Sequence, residues 1–454
     1  MSDPTTPAAV EPGAVSSATT RFTCFDGLRI LGMLGVLCFH TAFATGADQN
    51  GQTWYGQLLS NAQVAVPMFF VISAFLLTRP FLLRVFQDRP PAKATPWLRR
   101  RLIRVYPTYW FILTFVVIFL GVNLNGLKNA FLYYSLLFPF ARTDVALGFG
   151  GTAGIADAWF LTTDIVFYFM IPVLIYGLVA LTRSSSLQRK VNVALLGCGL
   201  LWLAGQLFRA YVVAAAPSWG RRELIWPTNW VDFFAIGMTF ATISAAAAQG
   251  IRIPRPIDWL SRHPAWSWTL AGCGYLLLLT FSPPRVPGTV GAEYWFRFFC
   301  WAVVVVFVVV PAMFGDQTQG RGRRLLSSRI AVFGGAISYG FYLFHLAVLH
   351  KVQPRLGYAP FDGGFVPIYV VTAAVTIVLA VFAHYAVEKP TLGLKDQPLK
   401  DMVTSLWVRH PKDDTRSASA PAGGAGHDDQ TVGHEGTSEP GQQPLQTQDR
   451  SSAT

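Results

Sequence analysis

The segment FDGLRILGMLGVLCFHTAF, residues 25–43, has the length and apolar content of a membrane-spanning helix, yet it carries ionisable side chains. Asp26 and Arg29 stand at its beginning, and His40 lies deep inside it. An ionisable residue in the hydrocarbon of a bilayer is costly, and such residues usually face a polar cavity or perform a function. The segment therefore predicts a transmembrane helix with a functional, polar face.

The composition of the chain predicts an all-α polytopic membrane protein around this helix. Hydrophobic residues make up 52% of the 454 residues and charged residues only 13%, whereas a soluble domain carries about 25% charged residues. The formal net charge of +12 could indicate a nucleic-acid partner. The basic residues lie mainly in short loops between apolar runs, however, where the membrane explains them. We therefore expect the protein to contact the lipid bilayer and not a nucleic acid.

Apolar runs of about 20 residues predict ten transmembrane helices. They lie near residues 28–45, 62–83, 107–124, 159–181, 191–213, 230–248, 265–282, 294–314, 330–350 and 365–387. The run FLYYSLLFPF, residues 131–140, is too short to span a bilayer and predicts an interfacial or re-entrant helix on the outer side. The predicted membrane domain covers residues 25–392.

The distribution of Lys and Arg predicts the orientation of these spans. The loop between the second and third spans is the richest, with Arg79, Arg84, Arg89, Lys93, Arg99, Arg100, Arg101 and Arg104. Because such loops stay on the cytoplasmic side, we expect both termini in the cytoplasm and a multi-pass protein of the cell (inner or plasma) membrane. Residues 1–24 and 393–454 are polar and predict disordered cytoplasmic tails, and the first span is interpreted as an uncleaved signal-anchor.

The five cysteines predict neither a disulfide framework nor a metal site. Cys24, Cys38, Cys198, Cys273 and Cys300 are scattered, without a CxxC pair or a His at metal-ligand spacing. We interpret them as thiols in apolar surroundings. No metal ion or prosthetic group is expected.

Arg29 and His40 are eleven residues apart, which places them on one face of a helix and about 16 Å apart along its axis. Arg29 would lie at the cytoplasmic mouth and His40 past the middle of the membrane. One face could thus bind an anion at its inner end and perform proton chemistry further out. The alternative is an Arg that extends to the headgroups and a His that is hydrogen-bonded to a neighbouring helix.

The segment AWFLTTDIVFYF, residues 158–169, opens the fourth span from the outer side, with Asp164 about one turn inside. A carboxylate there needs a partner, and His40 is at a compatible depth. We therefore predict a His40–Asp164 pair in which the carboxylate orients the imidazole and raises its basicity. Asp164 could instead cap a helix or pair with Arg297 or Arg142.

The segment WLRRRLIRVYPTYW, residues 97–110, places several arginines just inside the third span. They could be a positive-inside anchor that contacts lipid headgroups. Alternatively, Arg101 and Arg104 are three residues apart and share one helix face, so that they could clamp phosphate groups.

Other polar residues at membrane depth complete the set of candidates. His345 lies near the middle of the ninth span and is either a cavity-lining residue or a buried hydrogen-bond partner. Arg209 and Arg297 lie where charge is costly and are candidates to hold an anionic substrate group, such as the carboxylate of a succinyl group. They could instead pair with Asp232 or Glu293.

These stretches resemble the acyltransferase-3 family of integral membrane acyltransferases. The family's first-span motif of Arg or Lys, ten residues and His matches Arg29 and His40, and its RxxR element matches Arg101 and Arg104. Three further family motifs, FFxxSGFL, WSLxxExxFY and SYxxYLxH, correspond to FFVISAFL (69–76), WFLTTDIVFY (159–168) and SYGFYLFH (338–345). They add the candidates Ser73, Trp159, Tyr168 and Tyr342. The resemblance covers roughly residues 22–392.

Three positions depart from the family pattern. Asp164 stands in place of Glu, Ala74 in place of Gly, and Phe160 in place of Ser. The shorter carboxylate would need a closer backbone or a water to reach His40. The changes at Asp164 and Phe160 bear on the substrate more than on the type of reaction.

The resemblance implies a cytoplasmic acyl-CoA donor, carrying an acetyl or succinyl group, and an acceptor hydroxyl on an envelope polysaccharide, a glycolipid or a lipid-linked sugar. Arg29, Arg101 and Arg104 would then bind the phosphates of CoA, His40 would act as general base and Asp164 would orient it. Some relatives carry an extracytoplasmic SGNH-type hydrolase domain, and no such fused domain is expected here. The membrane domain itself or a separate extracytoplasmic partner would therefore complete the transfer.

Two other functions are compatible with the same sequence. An acyltransferase that modifies a small secondary metabolite would use the same chemistry. A transporter or flippase of the same topology would explain the intramembrane charges, but not the spacing of Arg29 and His40 beside the other motifs.

Overall fold

The computed structural model describes residues 22–47, 54–141, 153–215, 222–281 and 292–394. Within these ranges the chain is helical, and no strand is found there. The predicted all-α class is confirmed. The predicted tails fall almost wholly outside the described residues, as does Arg142.

The helices follow one another in the order of the predicted spans. They are α1 (Cys24–Ala44), α2 (Trp54–Asn61), α3 (Ala65–Phe86), α4 (Ala94–Phe119), α5 (Leu127–Tyr134), α6 (Trp159–Leu181), α7 (Leu187–Ala215), α8 (Pro227–Ala247), α9 (Arg255–Arg262), α10 (Pro264–Phe281), α11 (Ala292–Met313), α12 (Arg321–Leu326), α13 (Arg329–Arg355), α14 (Phe365–Ala383) and α15 (Lys389–Leu394). A 3₁₀ turn, Ala153–Ala158, leads into α6, and a π-turn, His384–Glu388, joins α14 to α15.

Nine helices in the described part of the chain are long and apolar enough to cross a membrane. They correspond to nine of the ten predicted spans. The remaining prediction, 265–282, is the 18-residue helix α10, which is not among those nine. A span needs about 17–25 residues, so that α10 is at the lower limit of length. The protein is a multi-pass membrane protein.

The third predicted span, 107–124, is misplaced at both ends. Helix α4 begins at Ala94 and ends at Phe119, and Pro107 lies inside it rather than near its start. The basic residues Arg99 to Arg104 lower the apolarity of the first turns, and an apolarity criterion therefore excludes turns that are in fact helical. Arg101 and Arg104 consequently belong to the helix itself.

The run at 131–140 does not form a span, as predicted. It contains the end of α5 and a 3₁₀ turn, Phe138–Phe140. Leu127 and Phe131 of α5 are largely exposed, with 91% and 66% of their surface accessible. The Tyr109 hydroxyl donates to the carbonyl oxygen of Tyr133 at 2.7 Å and thereby ties α5 to α4.

Helix α3 packs closely against α8 at Gly237. A Cβ atom at Gly237 would lie 2.3 Å from the carbonyl oxygen of Val71 and 2.6 Å from the Cβ of Ala74. The family motif has Gly at the position of Ala74, and here the facing Gly237 provides the space for the extra methyl group. This contact fixes the position of α3, whose neighbouring residue Ser73 lines the cavity described below.

We expect Gly237→Ala to destabilise the protein by about 1–3 kcal/mol, because the added methyl group must push α3 and α8 apart. The measurement is the thermal unfolding midpoint in detergent. Gly197→Ala in α7 is the matched control, since a Cβ there meets nothing within 4 Å. Equal midpoints for the two variants would contradict the close contact.

Candidate active site

A cavity of about 550 Å³ lies between α1, α3, α4, α6, α13 and the end of α14. Most of the residues predicted from the sequence line it: Arg29, His40, Ser73, Arg101, Arg104, Trp159, Asp164, Tyr168, Tyr342 and His345. Arg209 and Arg297 do not. We call the end with the three arginines the inner end and the end with His40 the outer end.

At the outer end, two histidines converge on one carboxylate. The Oδ2 atom of Asp157 lies 3.1 Å from Nε2 of His40 and 3.1 Å from Nε2 of His345. The two imidazole ring centroids are 5.4 Å apart. The His345 side chain is fully enclosed, whereas that of His40 is 21% exposed. His40 is therefore the histidine of this pair that a substrate in the cavity can reach.

Backbone contacts hold the Asp157–His345 pair in place. Nδ1 of His345 lies 2.5 Å from the carbonyl oxygen of Tyr342, one turn earlier in α13. The Tyr342 hydroxyl donates to the backbone carbonyl of Asp157. Tyr342 therefore contacts both partners: its carbonyl oxygen holds the His345 imidazole, and its hydroxyl holds the backbone of Asp157. These two contacts fix the carboxylate and the imidazole relative to one another.

The predicted His40–Asp164 pair is wrong. The carboxylate beside His40 belongs to Asp157, in the 3₁₀ turn before α6. Asp164 instead accepts hydrogen bonds from the hydroxyls of Ser73, at 2.7 Å, and Tyr168. It follows Asp157 by seven residues on a segment that runs inward, and therefore lies roughly 10 Å deeper. The sequence did carry a signal for Asp157, which stands only two residues before the motif Trp159.

At the inner end, three guanidinium groups gather on one side of the cavity. Arg29 contacts Asp26, with its Nη1 atom 3.4 Å from Oδ1, and interacts electrostatically with Arg104 and Asp164. The guanidinium of Arg101 lies over the ring of Trp97, 5.6 Å from its centroid. Like charges held this close favour an anion between them, and guanidinium groups bind phosphate with two parallel hydrogen bonds.

Two lining residues at this end were missed in the sequence. His384 and Glu388 belong to the π-turn after α14 and contact each other, with Nδ1 of the histidine 3.0 Å from Oε2 of the glutamate. A hydropathy profile does not identify them as lining residues. They follow the apolar helix α14, and polar residues at the end of a span are common.

The wall between the two ends contains apolar and aromatic side chains. Phe160 stacks on Phe70 with ring centroids 4.4 Å apart and lies 5.7 Å from the ring of Tyr342. Trp159 packs against Trp230 at 5.1 Å. The departure from Ser to Phe at position 160 therefore adds an aromatic ring to the cavity wall.

Arg209 has a structural environment outside the cavity. Its guanidinium binds the Asp232 carboxylate through two contacts of 3.0 and 3.1 Å, and it donates to the carbonyl oxygen of Asn229 at 2.7 Å. The ring centroid of Phe298 lies 4.0 Å away. Of the two predictions for Arg209, the structure shows the pairing with Asp232, and Arg209 does not line this cavity. Arg297 is also buried away from the cavity and interacts with Glu293.

His40, Asp157 and His345 could together hold a metal ion, because one ligand atom of each lies within 4.8 Å of the others. Two imidazoles and a carboxylate form a ligand set that divalent ions such as Zn²⁺ accept. The same 3.1 Å contacts are also those of a histidine–carboxylate group without an ion. Metal analysis of the purified protein distinguishes the two.

The helices surround one cavity that has three arginines at its inner end and a histidine–carboxylate group at its outer end. The family described as "Acyltransferase domain" matches residues 22–385, and the chain belongs to this acyltransferase-3 family. The protein is therefore a membrane acyltransferase.

The chain is also similar to two groups of curated proteins. The chain is 24% identical over 391 residues to "Nodulation protein 10" of Rhizobium leguminosarum bv. viciae, with 82% of this chain and 93% of that protein covered. It is 22% identical over 376 residues to proteins named "Putative O-acetyltransferase" from strains of Staphylococcus aureus, with 80% of this chain and 56% of theirs covered. No solved structure matches.

We expect Arg209→Met to lower the stability of the protein by about 3–5 kcal/mol, because it leaves the buried Asp232 carboxylate without its partner. The double variant Arg209→Met/Asp232→Leu should recover much of this loss. Both are measured as thermal unfolding midpoints in detergent. The turnover of the folded fraction should stay at the wild-type value, and a selective loss of turnover would instead place Arg209 in the reaction.

Proposed function

We propose that this protein transfers an acyl group from cytoplasmic acyl-CoA to a hydroxyl group of a cell-envelope polysaccharide or glycolipid. One observation carries the proposal: a single cavity joins a cluster of three arginines to a histidine–carboxylate group. Phosphates and a reacting thioester belong to opposite ends of one CoA molecule, and the two ends of the cavity have the matching chemistry.

The distance between the two ends supports CoA as the donor. Arg29 and His40 share one face of α1 and are separated by about 16 Å along its axis. The arm of CoA between its sulfur and its first phosphate also extends to about 16 Å by ordinary bond dimensions. A CoA molecule with its phosphates at Arg29, Arg101 and Arg104 would therefore bring its thioester to His40.

His40 would act as general base at the outer end. It takes the proton of the acceptor hydroxyl while the oxygen attacks the thioester carbonyl, so that the C–O bond of the ester forms and the C–S bond breaks. The sulfur of CoA then takes the proton from the imidazolium of His40. Asp157 stabilises that imidazolium through its 3.1 Å contact, in the role that the sequence assigned to Asp164.

An acetyl group is favoured over a succinyl group. The arginines that line the cavity are all at the inner end, and Arg209 and Arg297 lie outside it. A succinyl carboxylate at the outer end would therefore find no arginine among the described lining residues. The names of the staphylococcal relatives also refer to acetyl transfer.

We expect His40→Ala to reduce acyl transfer by about 10²–10⁴-fold, because general-base catalysis contributes that much. CoA binding should persist. The measurement is CoA release by the detergent-solubilised protein with acetyl-CoA and an envelope-glycan extract. Asp157→Asn should also be impaired, whereas Leu31→Ala, on the exposed side of α1, should keep the wild-type rate.

Two outcomes would contradict this assignment. A normal rate in His40→Ala would remove the histidine from the reaction. If the wild-type protein neither releases CoA nor binds it, the donor is wrong, and a transporter of the same topology becomes the better explanation.

We expect Arg101→Ala to raise the KM for acetyl-CoA about tenfold or more with a smaller effect on kcat, because one charged hydrogen-bond donor to a phosphate is lost. Arg100→Ala is the matched control, since Arg100 is the exposed neighbour and does not line the cavity. Equal KM values for the two variants would show that Arg101 is only part of the basic membrane anchor.

A further inference from the structure

Three side chains of the kind that bind metal ions converge at the outer end of the cavity. One ligand atom of each of His40, Asp157 and His345 lies within 4.8 Å of the other two. The three residues belong to helix α1, to the 3₁₀ turn before α6 and to helix α13. Because they come from separate segments, no spacing along the chain indicates them as a ligand group.

The distances between the ligand atoms match those around a tetrahedral ion. Zn²⁺ binds imidazole nitrogen and carboxylate oxygen at about 2.0–2.1 Å, which places neighbouring ligand atoms of a tetrahedral ion about 3.3 Å apart. Oδ2 of Asp157 lies 3.1 Å from Nε2 of His40 and 3.1 Å from Nε2 of His345. An ion therefore fits among these atoms with small movements of the side chains.

Two of these atoms, Oδ2 of Asp157 and Nε2 of His345, are buried and make no hydrogen bond with the described residues. The 3.1 Å contact between them has the length of a hydrogen bond but lacks the alignment that a hydrogen bond needs. Buried polar atoms without a partner are unfavourable. A metal ion lies off the line that joins two of its ligands, so that it satisfies two atoms that are misaligned with each other.

The other ring nitrogen of His345 is arranged as in a metal ligand. Nδ1 lies 2.5 Å from the carbonyl oxygen of Tyr342. A carbonyl oxygen can only accept a hydrogen bond, so that Nδ1 carries the proton and Nε2 of the neutral imidazole keeps a free lone pair. Histidines that bind a metal almost always donate their other N–H group to such a partner, which fixes the orientation of the ring.

We propose that His40, Asp157 and His345 form a binding site for a divalent transition-metal ion such as Zn²⁺, and that the bound ion blocks acyl transfer. The blocking role rests on the proposed function, in which His40 is the general base. A neutral imidazole has one free lone pair. An ion on Nε2 uses that lone pair and leaves the ring proton on Nδ1, so that His40 accepts no further proton.

The ligand set determines which ions the site accepts. Imidazole nitrogen suits Zn²⁺ and the neighbouring transition metals, whereas Mg²⁺ and Ca²⁺ are bound by oxygen ligands. Two histidines and one carboxylate are a ligand set of zinc sites that keep their fourth position open for water. The group should therefore bind Zn²⁺ and Co²⁺ and discriminate against Mg²⁺.

The test measures the binding of Co²⁺ to the full-length protein in detergent through the visible absorption of the ion. One Co²⁺ should bind per chain, Zn²⁺ should displace it, and Mg²⁺ should not. His345→Ala should weaken Co²⁺ binding about 100-fold or more, because the loss of a group that only supports a ligand already weakens metal binding about 10–100-fold. Asp157→Asn keeps the shape of its side chain and should also weaken Co²⁺ binding, so that the test does not depend on one variant.

His384→Asn is the matched control. His384 also lines the cavity but contacts Glu388 and does not belong to the ligand group, so that its loss should leave Co²⁺ affinity unchanged.

CoA release from acetyl-CoA gives a second measurement. The rate of the wild-type protein should fall about tenfold or more when Zn²⁺ saturates the site, since general-base catalysis contributes at least about 10²-fold. A chelator should restore the rate, and Mg²⁺ should leave it unchanged. His345→Ala should require about 100-fold more Zn²⁺ for the same fractional inhibition, in line with its weaker Co²⁺ binding.

Three results would overturn the inference. If the wild-type protein binds no Co²⁺, or if His345→Ala binds it with unchanged affinity, the three residues are not a metal site. If Zn²⁺ raises the rate of CoA release, the ion takes part in the reaction and does not block it. The proposed function fails separately: a protein that binds Co²⁺ through His345 but releases no CoA has the metal site without the proposed reaction.

Discussion

The bilayer gives no solvation to a charge, and this constraint accounts for the arrangement of nearly every ionisable group in the spans. Arg209 meets it by pairing with Asp232, which gives a buried, electrically neutral contact between α7 and α8. The ionisable residues around the cavity satisfy this constraint differently: they contact one another, and they face the cavity. Charged side chains that are paired away from the cavity, such as Arg209, therefore have a structural role. Charged side chains that line the cavity, such as Arg101 and Arg104, are accessible to a substrate.

The cavity in turn depends on tight packing elsewhere. Helix α8 is largely buried and touches α3 backbone to backbone at Gly237, so that one face of α3 is held while its other face presents Ser73. Ser73 then fixes Asp164 in a position away from His40. The packing of α3 on α8 thus positions the serine that binds Asp164, whereas Asp157 is the carboxylate beside His40.

The sequence predicted the architecture and most of the lining, because both depend on periodicity within single helices. The start and end of α6 coincide with the prediction, and Arg29 and His40 share a face as their spacing requires. The prediction from sequence failed where two contacting residues come from different segments of the chain. Depth along a span allowed Asp164 as the partner of His40, but the actual contact, Asp157, depends on how a 3₁₀ turn folds back between α1 and α13. The π-turn residues His384 and Glu388 were missed for a similar reason. A π-turn contains an extra residue and interrupts the regular helical spacing on which the prediction relied.

Asp157 stands in a connecting turn and not in a helix that has to match the thickness of a bilayer. The turn can therefore change in length and sequence under weaker constraint than the spans, and each change moves the carboxylate relative to an imidazole that stays fixed on α1. A change in this one short connection would therefore move the carboxylate, while the helical bundle and the arginines at the inner end stay in place.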